Sequence, residues 1–207
     1  MKVLLINGSP HANGNTSVAL NEMIKVFKAE GIETNLVQVG HKEICGCNAC
    51  GNCFNLGHCV FDDAVNEVAP LFAEADGLVV GTPVYYSSPN GTIVSFLDRL
   101  FYSTNKVVKT MKVGAGVVVG RRGGAATSFD VLNKYFAMSG MPIATSQYWN
   151  IVYGLKQGEA AQDAEGLQTM RFLAKNMTFL MKSIALGKEK FGGVPARENW
   201  TPTNFIR

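Results

Sequence analysis

The chain has 207 residues, a formal net charge of +3 and a hydrophobic content of 47%, enough apolar material for the core of one large domain. Its basic residues are scattered apart from Arg121-Arg122, so the basic stripe of a nucleic-acid binder is lacking. No apolar stretch approaches the roughly 20 residues that span a membrane, and Met1–Gly8 is too short an apolar run for a signal peptide, so the expected location is cytoplasmic, where thiols stay reduced.

The first element is Lys2–Asn7 (KVLLIN), a continuous apolar run that predicts a strand buried on both faces of a parallel sheet. It ends in Asn7-Gly8-Ser9-Pro10-His11-Ala12-Asn13-Gly14-Asn15-Thr16-Ser17. A loop this rich in Gly, Ser, Asn and Thr, opening a helix over Thr16–Ala29, presents N–H groups and hydroxyls where the helix dipole favours an anion. It predicts a phosphate site. The nucleotide-hydrolase pattern G-x-x-x-x-G-K-[ST] fails in spacing and has Asn15 where Lys is needed, and G-x-G-x-x-G is absent.

A second strand is expected over Thr34–Val39, and then the chain turns cysteine-rich. Cys47, Cys50, Cys53 and Cys59 stand at C-x2-C-x2-C-x5-C spacing, with Cys45 as a fifth thiol. Thiolates so close together can converge on one centre, as in iron–sulfur and zinc sites; empty or redox-active thiols are the other reading. Asp62-Asp63 are placed to cap the helix that follows, Asp63–Ala75, and His41 and His58 read as solvent-facing.

Further strands are expected at Gly77–Gly81, Val113–Gly120 and Pro142–Ser146, and further helices over Gly91–Ser103, Ala126–Ser139 and Ala161–Leu186. This alternation predicts βαβ crossovers and a doubly wound, five-stranded parallel sheet with helices on both faces. Ligands of such sheets bind at the carboxyl ends of the strands. Two more loops fall there: Gly81-Thr82-Pro83-Val84-Tyr85-Tyr86-Ser87-Ser88-Pro89 and Gly120-Arg121-Arg122-Gly123-Gly124. The residues after Gly187 read as an extended arm, 188–207: either a disordered terminus or, through Phe191, Trp200 and Phe205, a segment that docks, for instance across a subunit interface.

The first loop resembles the phosphate cradle of flavodoxin-like FMN proteins. Gly81-Thr82-Pro83-Val84-Tyr85, followed by Phe96-Leu97-Asp98-Arg99, resembles the G-[ST]-P-V-Y…F-x-D-R signature of the NAD(P)H-dependent FMN reductase family, and the compact cysteines are similar to those of its iron–sulfur flavoprotein branch. The resemblance implies a flavodoxin-like domain over 1–187 with a cysteine-rich insert at 45–59. It implies FMN bound by Ser9, His11, Asn13, Asn15, Thr16 and Ser17 at the phosphate, by Pro83, Val84, Tyr85, Tyr86 and Ser88 at the ring, and by Gly120, Arg121, Arg122, Gly123 and Gly124 at the pyrimidine side. A [4Fe-4S] cluster on Cys47, Cys50, Cys53 and Cys59 is implied likewise. The function implied is electron transfer from NAD(P)H through FMN to a small acceptor such as a quinone, a flavin or a redox protein, in a homodimer or homotetramer. A flavodoxin-type carrier without its own substrate and a cysteine-based redox sensor or metal-binding module are the alternatives.

Overall fold

The computed structural model describes residues 1–199 and 201–204; Trp200 and Phe205, expected to dock, lie outside the described residues. Five strands run parallel in the order β2-β1-β3-β5-β6, where β1 is Lys2–Asn7, β2 Glu33–Gln38, β3 Gly77–Tyr85, β5 Val113–Gly120 and β6 Ile151–Tyr153. That is the order of a flavodoxin-like doubly wound sheet. A two-residue strand, β4 (Ser88–Pro89), folds back antiparallel on β3.

The strands are apolar throughout because both faces are covered. Val3, Leu5 and Val79 enter one core with Leu20, Met23 and Phe27 of helix α1 (Asn15–Ala29) and Leu173 and Met177 of α6 (Ala164–Phe191). Their neighbours Leu4, Ile6, Leu78 and Val80 point the other way. They pack on Val68 and Phe72 of α3 (Ala64–Glu74), Ile93 and Phe96 of α4 (Gly91–Ser103) and Phe136 of α5 (Ala125–Met138). Replacing Phe27 or Phe72, both fully buried, with Ala would cost about 3–5 kcal/mol. Only β2, at the edge, is polar and half-exposed.

Two expectations need correction. The fifth strand is Ile151–Tyr153 and not Pro142–Ser146, which makes one isolated bridge, Ile143 to Gly114. Pro142 has no N–H to donate; its carbonyl accepts from Gly114 N, Ala144 N returns a bond to Gly114 O, and pairing stops there. Buried Asn150 then donates its Nδ2 to Gly116 O, and Ile151, Val152 and Tyr153 resume the edge against Val118, Val119 and Gly120. The last helix is also displaced. Asp163 caps it by accepting from Gly166 N at 2.9 Å, after a 3-10 turn at Glu159–Gln162. It runs past Gly187 to Phe191 and ends on Gly192 at φ +74°, so the arm begins later than residue 188. Arg197 fastens that arm, donating to Thr110 Oγ1 and to Ser139 O. Among the described residues no helix is long and apolar enough to cross a membrane.

Candidate functional site

The loop after β1 is built from short internal bonds. Asn7 Oδ1 accepts from Ser9 N at 3.0 Å, Ser9 Oγ accepts from His11 N at 3.2 Å, and Gly14 N donates to His11 O at 3.1 Å. Gln38 at the end of β2 donates to Ser9 O, and Gly8 N donates to Gly81 O in the middle of β3. Gly40 lies against this loop so closely that a Cβ there would sit 2.2 Å from Gly8 O. The result is a rigid turn that delivers the N-terminus of α1 to the carboxyl edge of the sheet.

That helix start is open. Its N-cap, Gly14, has no side chain to cap it, and the first turn carries no acidic residue. The N–H groups that a Ser or Asp cap normally satisfies therefore remain for another acceptor, next to the buried hydroxyls of Ser9 and Thr16. Asn7 Nδ2 is buried without a hydrogen-bond partner. An anion with several acceptor oxygens fits this donor set.

A cavity of about 390 Å³ brings Ser9, His11, Gly14, Asn15 and Thr16 together with Pro83, Val84, Tyr85, Gly120 and Arg121. Asn15 has its side chain engaged elsewhere, donating to Lys156 O and accepting from Ala160 N; what it offers the cavity is backbone. Ser17 Oγ accepts from Asn21. Asn13 and Gly123 are exposed, and neither lines the cavity. Arg122 and Gly124 border a neighbouring cavity of about 290 Å³ with Tyr148, Trp149 and Tyr153, so the two arginines serve different walls.

Between them stands the β3–β4 hairpin. Tyr86 and Ser87 at its tip have φ of +49° and +60°, a two-residue turn of the type that favours Asn-Gly, here built with bulkier residues and strained accordingly. Tyr86 is fully exposed and Ser88 pairs with Tyr85. Gly124, at φ +84°, packs under the tip: a Cβ there would lie 2.6 Å from Ser87 Cα.

A fourth loop, contributing Gly154, Leu155 and Gln157 to the first cavity, escaped the sequence reading because the fifth strand was misplaced. The signal was present in Ile151-Val152-Tyr153-Gly154, two β-branched residues and an aromatic ending on glycine as Val113–Gly120 does.

All four cysteines of the compact motif, Cys47, Cys50, Cys53 and Cys59, line one small cavity with Arg99, Phe61 and Tyr102. Cys47 and Cys50 are exposed, Cys59 is half-buried, and Cys53 is buried at the start of the single-turn helix α2 (Cys53–Leu56). Burial pushes the Cys53 thiol pKa up, and the charges of Cys50, Cys59 and Cys47 add to the effect. Among the described residues no group of three or more His, Cys, Asp or Glu is gathered as for a metal ion; the donor set itself, four thiols around one space, is of the kind that holds an iron–sulfur cluster.

The residue that organises this loop, Arg99, was quoted in the signature without a role. It lies on α4, 1% exposed. Its guanidinium grips Asp63, donating from Nη1 to Oδ2 at 2.6 Å and from Nη2 to Oδ1 at 3.0 Å. Nε and Nη2 each donate to Cys59 Sγ at 3.3 Å, Nη1 reaches Cys45 O and Sγ at 3.4 and 3.8 Å, and the group stacks 4.9 Å over the Phe61 ring. Burial opposes its charge, but the bonds to Asp63 and Cys59 prevail and its pKa is raised. Asp63 also accepts from Val65 N as the cap of α3, as expected. Asn66 clamps the last cysteine, accepting from Cys59 N and donating to Cys59 O, both at 2.9 Å. Cys45 stands outside the four-cysteine cavity, beside a different depression.

The fold and the rim define a doubly wound α/β domain of flavodoxin-like architecture with an anion-accepting cleft at its carboxyl edge. A family model described as NADPH-dependent FMN reductase matches residues 1–155. An iron–sulfur flavoprotein of Methanocaldococcus jannaschii is 32% identical over 195 residues, 89% of this chain and 99% of that one. One from Methanosarcina thermophila is 29% identical, covering 92% of this chain and 100% of its own. Among solved structures, RosB with a bound formylated riboflavin 5′-phosphate superposes with a TM-score of 0.69 at 18% identity over 100% of this chain and 94% of that one; a flavodoxin of Streptococcus pneumoniae gives 0.58 at 13% over 86% and 99%. Likeness at that identity speaks for the fold alone. The chain belongs to the NADPH-dependent FMN reductase family, in its iron–sulfur flavoprotein subfamily.

Proposed function

We propose that the chain is an FMN-dependent NAD(P)H oxidoreductase that passes electrons through FMN, and through a [4Fe-4S] cluster on Cys47, Cys50, Cys53 and Cys59, to a small acceptor such as a quinone, a free flavin or a redox protein. The observation that carries this reading is the uncapped start of α1, opening with Ser9 and Thr16 into a cavity walled by three other rim loops. Backbone N–H groups and hydroxyls there would hold the FMN phosphate; Pro83, Val84 and Tyr85 would lie along the ring, and Arg121 would border its far edge. Bound FMN would supply the two-electron and one-electron chemistry that links a reduced nicotinamide to the acceptor. The chain's own part is orientation and electrostatics. Arg121 places positive charge where reduced flavin gathers negative charge, and the hairpin tip locked on Gly124 fixes the wall that carries Tyr85.

The cysteine loop would supply four thiolates, with Arg99 offsetting the charge on Cys59 Sγ. A cluster there supplies one-electron transfer. Exposed aromatics around the rim, with Tyr86 at 105% and Tyr148 at 67% relative exposure, support assembly as a homodimer or homotetramer. The test is anaerobic titration of purified protein with FMN, followed by steady-state oxidation of NADH and NADPH with a quinone acceptor. FMN binding with turnover of a reduced nicotinamide is the expected result; FMN binding without turnover would reduce the protein to an electron carrier.

A further inference from the structure

A cavity of about 730 Å³ lies away from the rim between the end of α4, the 105–110 loop, α5 and the arm. Its walls are mainly apolar, from Phe101, Tyr102, Val108, Met138, Val194 and Pro195. Val108 and Met138 are 66% and 90% exposed. Its size suits a small ligand.

Charge in this cavity is unbalanced. Lys106, Lys109 and Arg197 face Asp98 alone, and Asp98 Oδ1 already accepts from Tyr135 Oη at 2.5 Å. Lys109 is 9% exposed. Its ammonium donates to Thr104 O, and of its three donors the other two have no protein acceptor among the described residues. Among the described residues no carboxylate pairs with Lys109 or Arg197 either. Burial, together with the charges of Arg197 and Lys112, pulls the Lys109 pKa down to about 8, as befits a cation without a counter-charge. Burying an ammonium this way is unfavourable unless something anionic completes it.

We infer that this cavity binds a small amphipathic monoanion, an aromatic or branched carboxylate, with its apolar body among Phe101, Val108 and Met138 and its charged head on Lys109 and Arg197. Arg197 belongs to the arm, so the ligand would also fasten the arm to the domain. Cys47 and Tyr102 line this cavity and the cysteine cavity alike, which makes the bound anion a neighbour of the cysteine loop. The inference stands whatever the cysteines hold.

The test is calorimetric titration of FMN-saturated protein with 1-naphthoate and with the neutral 1-naphthamide. Naphthoate should bind once per chain and naphthamide at least about tenfold more weakly, the scale of a charge-assisted hydrogen bond. Arg197→Gln, on the exposed arm, and Lys109→Met should each shrink that discrimination, while Met138→Trp should block both compounds with FMN content unchanged. No naphthoate uptake by FMN-saturated wild type, equal affinity for the two compounds, or full discrimination surviving in the Lys109→Met/Arg197→Gln double variant would overturn the inference.

Discussion

The rim at the carboxyl edge and the cysteine loop beside it are held in opposite ways. The rim is delivered by regular structure: β1, β3, β5 and β6 all end at this edge, and the loops after β1 and β6 are tied to neighbouring strands by the backbone bonds Gly8 N to Gly81 O and Gly154 N to Gly120 O. Between β2 and α3 the chain has only the single turn of α2, and its position rests on side chains, chiefly Arg99, Asp63 and Asn66. A site built on strand ends tolerates the loss of any one contact. A loop hung on one buried guanidinium does not.

The comparison is broken most sharply at Arg99. Arg99→Met should cost about 2–4 kcal/mol, at the lower side of what removing one partner of a buried pair costs because Asp63 keeps some solvent. For a domain of this size that lowers Tm by roughly 4–16 °C. Iron retention should fail while FMN still binds, measured as metal content and flavin content of the same sample. If FMN were lost in proportion, the two regions would be one cooperative unit.

At the rim, Ser9→Ala with Thr16→Ala should weaken FMN binding by about 1.5–3 kcal/mol for each bond to the phosphate, read from flavin fluorescence, with the cysteine loop unaffected. Unchanged affinity would remove the phosphate assignment. Gly124→Ala is gentler: the new Cβ must push Ser87 away and adopt a left-handed φ, at about 1–2 kcal/mol. FMN should bind several-fold more weakly through a displaced hairpin, with Tm as the control for global damage. Smallest of all, Arg121→Ala should lower the flavin midpoint potential by on the order of 10 mV, since 30 mV of a two-electron couple is about 1.4 kcal/mol and an exposed charge contributes a fraction of that. Arg122→Ala should shift it less, because Arg122 faces the other cavity.

The same contrast explains what was legible beforehand. Apolar runs ending in Gly named β1, β3 and β5, and the loops after them followed, because a buried parallel strand leaves an unambiguous pattern; the polar edge strand β2, expected at Thr34–Val39, lies one residue earlier at Glu33–Gln38. The edge strand β6 has only three residues, so its run was too short to compete with Pro142–Ser146; with it went Gly154–Gln157. The cysteines were obvious as chemistry, but their scaffold was not. Arg99 sits in sequence 40 residues from Cys59, and no local pattern separates an arginine that will be buried on a helix face from one that will be solvated. Lys109 was invisible for the same reason.

The central claim is that two independently built sites share this one chain. Anaerobic quantification of FMN, iron and acid-labile sulfide per chain tests it most directly, in the wild type, Cys50→Ser and Cys45→Ser. The account predicts equal iron and sulfide in the wild type and in Cys45→Ser, both lost in Cys50→Ser, and one FMN per chain in all three. Wild-type protein that takes up FMN but stays free of iron after anaerobic reconstitution would contradict it.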